Sequence, residues 1–198
     1  MTSRRASIAK SAVATGRGDD GTTGLLYGGR IAKDDPRTEA YGAVDEAVAA
    51  LGLARIELSL AGHGELAESI LRWQRELFVV GAELATNPDK KDRLEDGVTR
   101  VSEHMLDGVE TELARWEPAI EMPREFVVPG ETRASAALEL ARTVLRRAER
   151  RVISLERVVE LESGWTIPYI NRLADLIWVL ARAAEQAEDV AATKARVR

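Results

Sequence analysis

Six arginines, Arg142, Arg146, Arg147, Arg150, Arg151 and Arg157, crowd one stretch of this chain, against only Glu149 and Glu156. Arg142, Arg146, Glu149 and Arg150 stand at i, i+4, i+7 and i+8, so a helix would carry them on one face. Arg147 and Arg151 continue the positive charge around the flank. Planar guanidinium forks grip carboxylate or phosphate oxygens in pairs, so one meaning of this face is an anion site. A solvated charged surface is the other. A second chemical signal is the run Thr15-Gly16-Arg17-Gly18-Asp19-Asp20-Gly21-Thr22-Thr23-Gly24-Leu25. Glycines let backbone N–H groups approach phosphate oxygens closely, and threonine hydroxyls add donors. Lys33 stands nearby as a point charge. Asp19 and Asp20 would repel phosphates unless they cap turns or hold Mg²⁺ through water. The run contains G-x-G-x-x-G, yet no strand leads in and no helix follows, so a dinucleotide-binding motif is excluded. The alternatives that remain are a phosphate cradle and an ordinary flexible loop.

Two further polar residues sit where chemistry is conceivable. Asp45 follows Val44, next to an apolar helical stripe. It calls for an arginine on a neighbouring helix or subunit, or else stays solvated. Asn171, one turn before Asp175, lies near the start of a helix. It could read a nucleobase or sugar edge, or merely make a local hydrogen bond. Trp73, Trp116, Trp165 and Trp178 recur at helical spacing and read as core. His63 and His104 lie in polar settings and read as surface residues.

The elements that must position these groups are helical. Leu138, Ala141, Leu145, Ala148, Val152, Leu155 and Val159 recur in steps of three and four, the seam of a helix packed lengthwise in a bundle. That helix is expected from Thr132 to Glu162. Asp34 or Asp35 caps an earlier helix with Pro36 at its first turn, running to about Ala61. Others are expected over 65–85, closed by Asn87-Pro88, over 98–116, and over 166–187. Residues 89–96 form a charged linker, and no segment alternates with period two long enough to be a strand. The expected architecture is all-α: a five-helix bundle with a glycine-rich N-terminal loop outside it. Residues 1–14 read as a flexible arm, 15–188 as one domain and 189–198 as a frayed tail.

Composition narrows the functions. The chain has 198 residues, net charge −5, no cysteine and two histidines. Thiolate catalysis, disulfides and Fe–S clusters are excluded, and the pattern suits a reducing cytoplasm. Excess negative charge disfavours nucleic-acid binding, and no apolar run reaches the roughly 18 residues of a membrane span.

Taken in order, these motifs resemble one family. The glycine run, Lys33-Asp34-Asp35 and Glu39-Ala40-Tyr41-Gly42-Ala43-Val44-Asp45-Glu46 are similar to the amino half of PduO-type ATP:corrinoid adenosyltransferases. Phe126-Val127-Val128-Pro129-Gly130, the arginine helix and Tyr169-Ile170-Asn171-Arg172-Leu173 are similar to the carboxyl half. The resemblance spans about Thr15 to Ala184. It implies a homotrimer with sites between subunits that transfers the 5′-deoxyadenosyl group of ATP to the cobalt of cob(I)alamin. It further implies that Thr15, Gly16, Gly18, Asp19, Gly21, Thr22, Thr23 and Lys33 hold the triphosphate, with Mg²⁺ riding on the phosphates and no direct protein ligand. Arg142, Arg146 and Glu149 would reach ATP from the neighbouring subunit, with Asn171 near the adenosine. Asp45 would pair with Arg142 across the interface, and Phe126 would close the lower face of the corrin. The implied partners are a cobalamin reductase and a B12-dependent mutase. The chain departs from the pattern at Ala47-Val48, where Leu-Asn is frequent, at Glu139, where histidine is common, and at Glu131, where a second glycine is frequent.

Overall fold

The computed structural model describes residues 11–196, so the first ten residues of the expected arm and the last two of the tail lie outside it. Among the described residues the chain forms a small hairpin, β1 (Thr22–Gly24) and β2 (Arg30–Ala32), and five α-helices. These are α1 (Pro36–Leu60), α2 (Gly64–Ala85), α3 (Glu103–Trp116), α4 (Arg133–Glu156) and α5 (Thr166–Ala187). No helix is long and apolar enough to cross a membrane, among the described residues.

Local chemistry starts the helices where the sequence says. The Asp35 carboxylate accepts from the Arg37 N–H at 2.8 Å, and Pro36 occupies the first turn of α1. Thr132 and Ser135 exchange side-chain and backbone bonds in a capping box that opens α4. The α4 seam is closed to water: Leu138, Ala141, Leu145, Ala148 and Val152 are 0% exposed. α1 meets it with Ala40, Ala47 and Ala54 between Val44, Leu51 and Leu58. Such small residues let two long helices approach closely, and burying each Leu or Val contributes about 1.5–3 kcal/mol.

Three elements differ from the sequence expectation. The hairpin is a true pair of strands, with Thr22 opposite Ala32 and Gly24 opposite Arg30. Each strand has three residues, too few for a period-two pattern, and the turn depends on positive φ at Tyr27, Gly28 and Gly29. α3 begins at Glu103 and not near Val98. The Glu95 carbonyl accepts from the N–H groups of Val98, Thr99 and Arg100, winding that segment into a turn. α4 ends at Glu156 and not at Glu162. Buried Glu83 on α2 anchors both of the segments that leave the expected helices. It accepts from the Val101 N–H at 2.7 Å, the Ser163 N–H at 3.0 Å and the Thr166 hydroxyl at 3.0 Å. Burial pushes this carboxyl above the usual range, against the hydrogen bonds that lower it.

The tail also departs from a frayed end. The Val128 N–H donates to the Thr193 carbonyl at 2.8 Å, and the Ala195 N–H donates to the Phe126 carbonyl at 2.8 Å. An extended tail thereby satisfies backbone groups of the loop before α4. His63 is partly buried, its Nε2 3.3 Å from Glu188, because the α1–α2 turn packs beside the end of α5.

Candidate functional site

The glycine loop has a defined shape, and an arginine absent from the sequence reading sets it. The Arg30 guanidinium reaches back across the hairpin, donating to the Arg17 carbonyl and the Thr22 hydroxyl and lying 3.3 Å from the Asp20 carboxylate. Asp20 in turn accepts from the Thr22 N–H at 2.9 Å and the Thr22 hydroxyl at 2.8 Å. Those Thr22 bonds hold the Asp20 carboxyl below its ordinary value, with Arg30 adding to the effect. Asp20 therefore caps the turn, and the Thr22 hydroxyl proton is already committed to it. The missed signal was Arg30 itself, a lone cation directly after Gly28-Gly29.

Lys33 lies over this loop. A Cβ placed on Gly18 would stand 2.9 Å from the Lys33 ammonium and 3.2 Å from the Thr22 carbonyl. Gly16 and Gly21 adopt positive φ, 68° and 79°, which turns the backbone around the lysine. Thr15 accepts from the Arg17 N–H at 3.5 Å, while Asp19 is exposed and Thr23 pairs with Ile31 in the hairpin. The hairpin tip is anchored to the end of α2. Asn87 Nδ2 donates to the Gly28 carbonyl at 2.9 Å, the Asn87 N–H donates to the Leu26 carbonyl at 3.1 Å, and Arg93 stacks 4.3 Å from the Tyr27 ring centroid.

Beside the loop, α1 and α4 enclose a cleft of about 230 Å³ lined by Lys33, Thr38, Glu39, Glu46, Arg147 and Arg151. Arg151 pairs with Glu39 at 3.0 Å, and Arg147 pairs with Glu46. These arginines and the loop belong to one flank of the molecule.

Arg142, Arg146, Glu149 and Asn171 occupy another flank. Arg147 and Arg151 each lie about 140° around the helix from Arg142 and Arg146 respectively. Asn171 Nδ2 donates to Glu149 at 2.9 Å, bringing α5 to this face. Arg146 is exposed, and its carbonyl accepts from Arg150 at 3.0 Å. Arg142 donates from Nε to Glu139 at 2.7 Å. No hydrogen bond or ion pair joins this face to the glycine loop within the chain, among the described residues.

Asp45 and Phe126 stand apart from both. Asp45 is exposed on α1 without an ion-pair partner among the described residues. It rims an apolar groove of about 400 Å³ between α1 and α2, lined by Leu26, Tyr41, Val44, Val48, Leu77 and Phe78. Phe78 is 65% exposed, and Phe126, in the loop before α4, is 86% exposed.

Fold and site together define a class: a helical bundle that presents a lysine-bearing glycine loop on one flank and an arginine–amide helix face on another. A family model described as cobalamin adenosyltransferase matches residues 13–184. The chain belongs to that family. It is 40% identical over 178 residues to a corrinoid adenosyltransferase of Citrobacter freundii, covering 90% of this chain and 97% of that protein. It is 37% identical over 169 residues to one of Bacillus subtilis, covering 85% and 83%. Its fold is similar to a solved PduO-type ATP:corrinoid adenosyltransferase variant of Lactobacillus reuteri complexed with cobalamin and ATP. That likeness has a TM-score of 0.84 and 29% identity, covering 92% of this chain and 98% of that one.

Proposed function

We propose that this chain transfers the 5′-deoxyadenosyl group of ATP to the cobalt of cob(I)alamin, and that it does so as a homotrimer with its sites between protomers. The observation that carries the reading is the separation of the two half-sites. The glycine loop with Lys33 and the face bearing Arg142, Arg146 and Asn171 lie on different flanks of α4, so one chain does not close them on one ligand. Two adjacent chains can. The apolar groove beside Asp45, with Phe78 exposed at its edge, supports the same reading, since contiguous exposed apolar surface marks an interaction site.

In this reading the cobalt lone pair attacks C5′ of ATP. The Co–C bond forms, the C5′–O bond breaks, and triphosphate leaves with the electron pair. No proton moves, so no general base is required. The chain's own work is alignment and charge. Loop N–H groups and the Lys33 ammonium cradle the phosphates, which carry Mg²⁺ on their own oxygens. Thr22 contributes by shaping the loop, because Asp20 holds both its N–H and its hydroxyl. Arg142 and Arg146 of the adjacent protomer meet the same polyanion, and Asp45 steadies Arg142 across the interface. Asn171, held by Glu149, addresses the adenosine. Exposed Phe126 covers the lower corrin face and excludes water from it. ATP supply places the enzyme in the cytoplasm, between a reductase that delivers cob(I)alamin and a mutase that uses the product.

The test is a spectroscopic assay with prereduced cob(I)alamin and ATP. Adenosylcobalamin and triphosphate should appear in equal amounts. ATP binding without triphosphate release would reduce the protein to a corrinoid chaperone or sensor.

A further inference from the structure

The face that carries Arg142 is connected to the interior by an unbroken row of alternating charges. Arg142 Nε donates to Glu139 Oε2 at 2.7 Å. Glu139 Oε1 accepts from Arg182 Nη1 at 3.0 Å. Arg182 then grips Glu185 with Nε and Nη2, both at 2.7 Å. The side chains of Glu139, Arg182 and Glu185 are 4%, 1% and 1% exposed, whereas Arg142 is 23% exposed. The Trp178 ring lies 5.5 Å from the Arg182 guanidinium. The row holds two cations and two anions and is neutral as a unit, which is how a bundle core tolerates it. α4 supplies a glutamate and, at i+3, an arginine. α5 supplies an arginine and, at i+3, a glutamate.

From this we infer that Glu139 is a positioning residue for Arg142, held in place for that task by Arg182 and Glu185. The inference rests on the functional reading above, in which Arg142 meets the triphosphate and the neighbouring Asp45. Arginine has a long flexible stem, and its value at a ligand depends on which nitrogens face outward. Glu139 engages Nε, the inner nitrogen. The two terminal nitrogens have no partner among the described residues and are left for the ligand side. Glu139 itself is fixed because its other oxygen belongs to Arg182, which the bidentate bond to Glu185 immobilises in turn. Arg146, one turn further on, has no such anchor among the described residues, so the two arginines are not equivalent. Arg142 is preorganised and Arg146 is adaptable.

The experiment uses the full-length protein. In Glu139→Gln the amide keeps one acceptor oxygen, which the buried Arg182 retains, and turns its NH2 group toward Arg142. Charge-assisted bonds of this kind predict a fall in kcat/KM for ATP on the order of ten- to a hundred-fold. A double-mutant cycle separates positioning from general packing. In an Arg142→Ala background, Glu139→Gln should cost less than about two-fold more. An equal loss in both backgrounds, or a wild-type rate in Glu139→Gln, overturns the inference. Should Glu139→Gln fail to fold, the ligand-free wild type still answers by NMR. The Arg142 Nε–H resonance, assigned with Arg142→Lys, should be shifted downfield and protected from solvent exchange. A free, fast-exchanging Nε–H overturns the inference without reference to activity. A protected Nε–H in a protein that makes no adenosylcobalamin would instead refute the functional reading alone.

Discussion

Gly18→Ala tests the geometry of the loop most closely. The added Cβ would stand 2.9 Å from Lys33 Nζ, 3.1 Å from its Cε and 3.2 Å from the Thr22 carbonyl oxygen. Ordinary contacts of this kind lie near 3.5–4.0 Å, so something must move by about half an ångström or more. The Thr22 carbonyl is poorly placed to move, since Arg30 donates to it at 3.3 Å and also holds the Thr22 hydroxyl. The Lys33 head moves instead, out of the loop it covers. A hydrogen bond to a charged group contributes about 1.5–3 kcal/mol. Displacing the ammonium without removing it should forfeit about 1–2 kcal/mol, a five- to thirty-fold fall in kcat/KM for ATP. Gly18 does not adopt positive φ, so the strain left after Lys33 moves is the 3.2 Å contact with the Thr22 carbonyl, and the thermal midpoint should fall only slightly. The assay is steady-state adenosylcobalamin formation at varied ATP, run in wild-type and Lys33→Ala backgrounds. The substitution should cost several-fold in the first and almost nothing further in the second. An unchanged KM for ATP, or equal losses in both backgrounds, would refute the reasoning.

Other expected outcomes follow from the same contacts. Glu83→Gln sets an amide NH2 against the Val101 N–H that now donates to Glu83. The mismatch should lower stability by about 1–3 kcal/mol in denaturant titration. Because burial raises the Glu83 carboxyl in the fold, the folded state binds more protons than the unfolded one between the two pKa values. This group's contribution to wild-type stability therefore falls as pH rises through that window, and the Gln variant should lack that slope. Leu145→Ala, at a fully buried seam position, should cost about 2–5 kcal/mol, measured by chemical unfolding. Phe126→Ala should slow turnover starting from cob(II)alamin more than from prereduced cob(I)alamin, and equal losses would reject its place at the corrin.

Much of this molecule is legible because its signals are local. The seam from Leu138 to Leu155, Pro36 behind its aspartate cap, and the Asn87-Pro88 stop each act within a turn or two of helix, and the helices begin or end accordingly. The arginine face was equally visible, since helical spacing alone puts Arg142, Arg146 and Glu149 together. What escaped depends on distant partners. Glu83 reaches Val101 and Ser163, anchoring the non-helical segments before α3 and after α4. Arg182 lies 43 residues from the Glu139 it binds, and no periodicity links them. The hairpin needs three successive positive φ values at Tyr27, Gly28 and Gly29, of which the sequence advertises only the glycines. In the sequence the role of Asp20 is open between metal, cap and repulsion; its bonds from the Thr22 N–H and hydroxyl decide for a cap, with the Arg30 guanidinium across the hairpin beside it.

Whether the two half-sites meet between protomers is decided by complementation. Lys33→Ala spoils the loop half and Arg146→Ala the helix half, so each variant alone should be nearly inactive. Co-expressed in equal amounts, they should form mixed trimers in which an intact loop faces an intact arginine face at about a quarter of the sites. Adenosylcobalamin formation should then recover to about that fraction of wild type. Mixed trimers no more active than the two pure variants would show that loop and arginines serve the same ligand from one chain, or serve none.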